Sequence, residues 1–154
     1  MNHVIIAVAT GLHAGNLSAG PRGIAVSAIA LLLWLPLRNL PLPAYVAMLL
    51  SFYVLGFLVA GTAEKLFDRA NAQPIAIDEI GGLLVSLSMV PHHPLAWALC
   101  LVAFHLLHRL KPWPITWIGQ HLHGGLGIMS DDLVAGIYAG ASLQLLYRLA
   151  ALVA

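Results

Sequence analysis

The chain has 154 residues, of which 60% are hydrophobic and 8% are charged, and its mean hydropathy is +0.90. Soluble domains usually carry about 25% charged residues, so this composition predicts an integral membrane protein with one domain, residues 1–154. The formal net charge of +1 argues against nucleic-acid binding, and the single cysteine, Cys100, excludes disulfides and thiolate metal sites within the chain.

Apolar residues fall into four regions, at about 24–37, 43–62, 80–107 and 133–152. A helix needs about 20 apolar residues to cross a bilayer, so the second and fourth regions are long enough and the first is short. The pattern predicts an all-α membrane bundle.

The third region is too long for a single crossing. Its 28 residues would form a helix of about 42 Å, whereas the hydrocarbon core is about 30 Å thick. The motif Pro91-His92-His93-Pro94 stands halfway along it, and proline disrupts helices. The region is therefore either one kinked crossing or a re-entrant hairpin of two short helices.

The distribution of charge favours the hairpin. Ten of the 13 Asp, Glu, Lys and Arg residues lie in segments 64–79 and 109–132, which flank the third region. A hairpin brings the two segments to one membrane face, whereas a single crossing separates them. The positive-inside rule predicts that this face is cytoplasmic, because four basic residues lie in the two segments: Lys65, Arg69, Arg109 and Lys111.

The acidic residues suggest a cation site. The pairs Asp78-Glu79 and Asp131-Asp132 lie at the ends of apolar regions, where adjacent carboxylates repel each other unless a cation joins them. Ligands that are all oxygen favour Mg²⁺, which usually also binds a substrate phosphate. Two simpler interpretations stay open: the first pair is a solvated turn, and Ser130 or Asp131 caps the fourth helix.

Other polar residues extend this hypothesis. Glu64 and Asp68 are four residues apart and share a face if their segment is helical. Gly124, Gly125 and Gly127 predict a loop that leads into a helix N-terminus and receives an anion. A weaker alternative is a zinc site built from histidine pairs: His92/His93, His105/His108 and His121/His123.

Three sequence blocks, IDEIGG (77–82), KPWPI (111–115) and HGGLGIMSDDLVAG (123–136), resemble the bacterial phosphatidylglycerophosphatase A family. In that family the terminal phosphate of phosphatidylglycerol phosphate is removed in a Mg²⁺-dependent step. The resemblance implies a catalytic and metal-binding role for the two acidic pairs, with Glu64 as a further metal ligand. It implies a phosphate contact for Lys111, and His105, His108 and His123 are candidate substrate contacts.

The chain departs from the family pattern near this site. A block that reads like PGTxGS keeps only its proline and has Arg22 next to it, and an aspartate seven residues before Asp78 is replaced by Asn71. His105 and His108 stand where the family has an arginine and an aspartate, and Gly119 replaces another aspartate.

The sequence therefore predicts a Mg²⁺-dependent phosphatase of the bacterial cytoplasmic membrane whose partner is a phospholipid. The departures leave open a non-catalytic or substrate-shifted member that binds an anionic headgroup or a partner protein. An ion transporter is a weaker alternative, because transporter sites lie near the membrane midplane and these carboxylates lie at helix ends.

Overall fold

The computed structural model describes residues 2–69 and 72–153, with side chains to Leu152, and every regular element in these ranges is helical. Together with a 3₁₀ turn at Ala14–Asn16, the helices are α1 (Asn2–Ala9), α2 (Ala19–Leu37), α3 (Leu42–Leu66), α4 (Ile77–Ser88), α5 (Pro94–Leu110), α6 (Ile115–His121) and α7 (Gly124–Val153).

Within the described ranges, α2, α3 and α7 are long and apolar enough to cross a membrane. Leucines on their outer faces are largely exposed, as expected for side chains that face lipid. The predicted all-α membrane bundle is confirmed. Helix α2 begins five residues before the apolar region at 24–37, which makes the first crossing longer than hydropathy alone indicated.

The third region folds as the predicted hairpin, with its break between Ser88 and Pro94. The ring nitrogen Nδ1 of His93 accepts a hydrogen bond from the backbone N–H of Leu95 at 3.3 Å and so caps α5. Phe104, near the end of α5, packs where a Cβ on Gly82 would lie, close to the start of α4. The two helices are therefore antiparallel, and their outer ends lie together.

Helix α7 packs closely along α4. A Cβ on Gly136 would lie 3.0 Å from the Cα of Gly82, and one on Gly140 would lie 3.0 Å from the carbonyl oxygen of Ser86. Small residues permit such close approach between membrane helices. Because the two helices run parallel in tight contact, the acidic pair of α4 lies beside that of α7.

The predicted start of the fourth helix is wrong. Helix α7 begins at Gly124, so Ser130 and Asp131 lie about two turns inside it and do not cap it, and the predicted glycine loop is helical. Packing explains the difference, because α3 and α7 are in close contact at two glycines. A Cβ added to Gly61 on α3 would lie only 3.1 Å from the backbone nitrogen of Gly125. Contact with α3 outweighs the low helix propensity of glycine.

The predicted helical pairing of Glu64 with Asp68 is also wrong. Helix α3 ends at Leu66, and Asp68 has a positive φ of 48° in the turn beyond it. The two carboxylates therefore do not share a helix face.

The hairpin predicts a specific membrane topology. Cysteines introduced at Gln73 and Gln120, both exposed, are expected to react with an impermeant thiol reagent from the same side of sealed vesicles. A cysteine at the exposed Asn39, between α2 and α3, is expected to react from the other side. Cys100 is buried and provides a low background. Opposite labelling of positions 73 and 120 would contradict the hairpin.

Candidate active site

A polar pocket of about 270 Å³ lies at the outer ends of the hairpin. Helices α2, α4, α5 and α7 and the segments at 72–75 and 111 supply its walls. Among its lining residues, those with charged or imidazole side chains are Arg22, Asp78, Glu79, His105, His108, Arg109, Lys111 and Asp131. The pocket therefore gathers most of the predicted site into one place in an otherwise apolar bundle.

The acidic side chains at the pocket are almost completely buried. Asp78 and Glu79 are 6% and 4% exposed, and Asp131 and Asp132 are 3% and 1% exposed. The first pair lies in the first turn of α4, where the helix dipole favours negative charge. Burying a carboxylate without a partner is costly, so the cluster requires positive counterparts.

Three basic side chains provide these counterparts. Arg22 on α2 donates to Glu79 and, at 2.8 Å, to the carbonyl oxygen of Ile75. His108 Nδ1 lies 2.5 Å from Asp132 Oδ1, and Lys111 Nζ lies 2.5 Å from Asp131 Oδ2. These ion pairs connect α2 to α4, and they connect both α5 and the turn after it to α7.

Both partners of the α7 acidic pair carry positive charge. Burial alone would lower the pKa of His108, in the last turn of α5, but the hydrogen bond to Asp132 and its charge outweigh burial and raise the pKa to about 9. Burial also opposes the charge on Lys111, yet its hydrogen bond to Asp131 raises its pKa. The cluster is held together by electrostatic attraction.

Two carboxylate oxygens are left without partners. Within residues 2–69 and 72–153, Asp78 Oδ1 and Asp132 Oδ2 are buried and accept no hydrogen bond. Such atoms are unusual in native proteins and indicate a ligand, an ion or water. No group of three or more His, Cys, Asp or Glu side chains in those same ranges is arranged to hold a metal. The two unpartnered oxygens are therefore buried acceptors available to a ligand, an ion or water.

The histidines of α5 contact different partners. His105 Nε2 lies 2.8 Å from the hydroxyl of Ser27 on α2, whereas His108 pairs with α7. His92 and His93 lie at the far end of the hairpin. The described residues therefore give no support to a histidine-based zinc site.

Glu64 and His123 lie in a neighbouring pocket of about 310 Å³. This second pocket shares Lys111 and Asp131 with the first, so the Lys111–Asp131 ion pair lies between the two. Glu64 and His123 line this second pocket and are not among the lining residues of the first. Asn71 lies outside the described residues.

Arg22, Ser27 and Arg109 lie at the site without being predicted from the sequence, in which Arg22 is only a departure from the family pattern. A signal existed for Arg22, because it is one of seven basic residues in the chain and stands directly before an apolar region. Ser27 carried no signal, since a serine on an apolar helix usually bonds to its own backbone.

Comparisons with known proteins agree with the sequence blocks. The family model of phosphatidylglycerophosphatase A matches residues 7–147. The chain is 30% identical over 140 residues to phosphatidylglycerophosphatase A of Escherichia coli strain K12, which covers 90% of this chain and 80% of that protein. It is 39% identical over 66 residues to the Haemophilus influenzae protein of that name, covering 42% and 40% of the two chains.

A third relative has a different name. The chain is 27% identical over 143 residues to a putative phosphatidylinositol-3-phosphatase of Bacteroides thetaiotaomicron, which covers 87% of each protein. No solved structure matches the chain.

Proposed function

This chain belongs to the phosphatidylglycerophosphatase A family of phosphoric monoester hydrolases, and on that premise we propose that it hydrolyses the terminal phosphate of phosphatidylglycerol phosphate in a Mg²⁺-dependent reaction. The products are phosphatidylglycerol and inorganic phosphate. The observation that carries this proposal is the buried cluster in which carboxylates and basic side chains meet at one polar pocket.

The basic side chains are suited to hold the substrate phosphate. Lys111 and His108 line the pocket and already carry charge, so each can donate to a phosphate oxygen. Charge-assisted hydrogen bonds of this kind are stronger than neutral ones.

The donor chemistry fits Mg²⁺. The unpartnered oxygens of Asp78 and Asp132 are hard ligands, and Mg²⁺ is usually held by one or two protein carboxylates together with substrate phosphate. Glu79 and Asp131 complete the set of nearby carboxylates. When bound there, Mg²⁺ neutralises phosphate charge and polarises the oxygen atoms that it contacts.

The chain's own carboxylates also supply the base. In the hydrolysis a water oxygen forms a bond to phosphorus while the bond to the glycerol oxygen breaks. One pocket carboxylate accepts the water proton, and the leaving glycerol oxygen takes up a proton to become the alcohol, so the net reaction consumes one water. Arg22 keeps Glu79 in place through its ion pair, and the contact of Arg22 with the carbonyl oxygen of Ile75 fixes the segment that leads into α4.

We place the site at the cytoplasmic face of the bacterial inner membrane. The segments that flank the hairpin hold four of the seven basic residues, and positive charge is enriched in cytoplasmic loops. A headgroup in the inner leaflet would then reach the pocket while its acyl chains stay in the bilayer.

Phosphate release from purified protein tests the function. We expect release from phosphatidylglycerol phosphate in detergent micelles with Mg²⁺ and none after chelation with EDTA. Phosphatidylinositol 3-phosphate belongs in the same assay, because one relative is named for it. Release from phosphatidylinositol 3-phosphate alone would show that this lipid, and not phosphatidylglycerol phosphate, is the substrate. Release from neither lipid would contradict the proposed phosphatase activity.

A non-catalytic headgroup-binding protein is the second candidate. It is favoured by the pairing of Glu79 with Arg22 and of Asp132 with His108, which compensates carboxylate charge without a metal. Saturable binding of phosphatidylglycerol phosphate without phosphate release would support this alternative.

A further inference from the structure

A further cavity, which is apolar, lies between α2 and α5 on the outer side of the bundle. This groove has a volume of about 670 Å³ and extends from Gly20 to Leu31 on α2 and from Ala98 to Arg109 on α5. Each wall covers 11 helical steps, which gives a length of about 16 Å. That length is about half the hydrocarbon core, which is the depth of one leaflet.

The groove is continuous with the polar pocket. Gly23, His105 and Arg109 line both cavities, so one end of the groove meets the carboxylate cluster. Gly23 faces the ring of His105 at this junction, and a Cβ there would lie in van der Waals contact with it, 3.7 Å from Nε2. On the groove side of the junction the lining is mostly aliphatic, whereas on the side of the polar pocket it is rich in charged residues.

The junction carries a positive charge of its own. Arg109 is exposed there, and the ion pairs found among the described residues do not include it. Its guanidinium suits a phosphate oxygen. A phospholipid with a phosphodiester and a terminal phosphate matches this order of surfaces: a chain in the groove, the diester at Arg109 and the terminal phosphate in the polar pocket.

We infer that the groove between α2 and α5 binds one acyl chain of the lipid substrate and thereby sets the position of its terminal phosphate in the polar pocket. This inference rests on the proposed function for the identity of the lipid. The groove opens toward the lipid, so the substrate enters sideways from the bilayer. Because lipid tails are as apolar as leucine, the groove contributes packing and alignment and gains little from burial itself.

Filling the groove tests the inference kinetically. Ala28 and Ala98 are exposed in the groove, so Ala28→Phe and Ala98→Phe occupy it without entering the core. We expect kcat/KM for long-chain phosphatidylglycerol phosphate to fall at least about tenfold, because small displacements of reacting groups are costly. The deacylated headgroup, glycerophosphoglycerol phosphate, is expected to be hydrolysed as by the wild type.

The matched control is Ala47→Phe, an exposed alanine on α3 that lies outside the groove. It is expected to behave as wild type with both substrates. Wild-type hydrolysis of the long-chain lipid by both groove variants would overturn the inference. An equal loss with lipid and headgroup would also overturn it, because the effect would not depend on the acyl chain.

A binding measurement separates the groove from the reaction. Phosphatidylglycerol phosphate with a photoreactive diazirine in one acyl chain is crosslinked to the full-length protein in EDTA, so turnover is not required. We expect labelled peptides from α2 and α5, less labelling with excess unmodified lipid, and loss of labelling in Ala28→Phe but not in Ala47→Phe. Uniform labelling of α2, α3 and α7 that excess unmodified lipid does not reduce would overturn the inference that the groove binds an acyl chain. This holds even if phosphate release is observed.

Discussion

Replacing Asp132 with asparagine is expected to lower kcat/KM for phosphate release about 10³-fold, within the range lost when an acid–base or electrostatic group is removed. Asp132 is 1% exposed and holds both an ion pair to His108 and an unpartnered oxygen. Asparagine keeps the shape and the oxygen that meets His108 but removes the charge that would bind Mg²⁺. Activity is measured by phosphate release, and folding by thermal unfolding in detergent.

The control for this substitution is Asp68→Asn. Asp68 is exposed in the turn after α3, and its positive φ is well tolerated by asparagine. The control removes the same charge outside the pocket and is expected to retain full activity. If Asp132→Asn keeps wild-type activity and Mg²⁺ dependence, Asp132 is not part of the catalytic site.

The second large effect is expected from His108→Asp, which restores the residue that the resemblance places at this position. The substitution removes the cation partner of Asp132 and adds a carboxylate beside it. Uncompensated buried charge is strongly destabilising, so the unfolding temperature in EDTA is expected to fall by about 5–15 °C. Addition of Mg²⁺ is expected to recover most of this loss, because a ligand that binds only the folded state stabilises it.

His3→Asp is the matched control for this stability effect. His3 is exposed on α1, away from the cluster, so the same exchange of residue types is expected to change the unfolding temperature little and without Mg²⁺ dependence. If His108→Asp unfolds at the same temperature with EDTA and with Mg²⁺, the cluster does not bind the ion.

Much of the site could be predicted because charge is scarce in this chain. In an apolar sequence, the pairs Asp78-Glu79 and Asp131-Asp132 stand out. Charged side chains within a membrane protein are energetically costly, and they usually have a functional role. The hairpin was also predictable, since the length of residues 80–107 and the prolines at its centre both conflict with a single straight crossing. These are local properties that do not depend on which helices become neighbours.

The start of α7 could not be predicted in this way. Helix propensity disfavours Gly124, Gly125 and Gly127 in a helix, and only the backbone contact of Gly125 with α3 reverses that preference. The contact joins residues more than 60 positions apart in the chain, at Gly61 and Gly125, so no local pattern contains it.

The sequence by itself determined the class of protein, the hairpin and the acidic residues, because composition, length and proline act locally. Only the tertiary structure decided which cation meets which carboxylate: Arg22 with Glu79, His108 with Asp132, and Lys111 with Asp131. It also joined the polar pocket to the groove through Gly23 and Arg109. These pairings depend on how α2, α5 and α7 pack around α4, and packing is a property of the whole bundle.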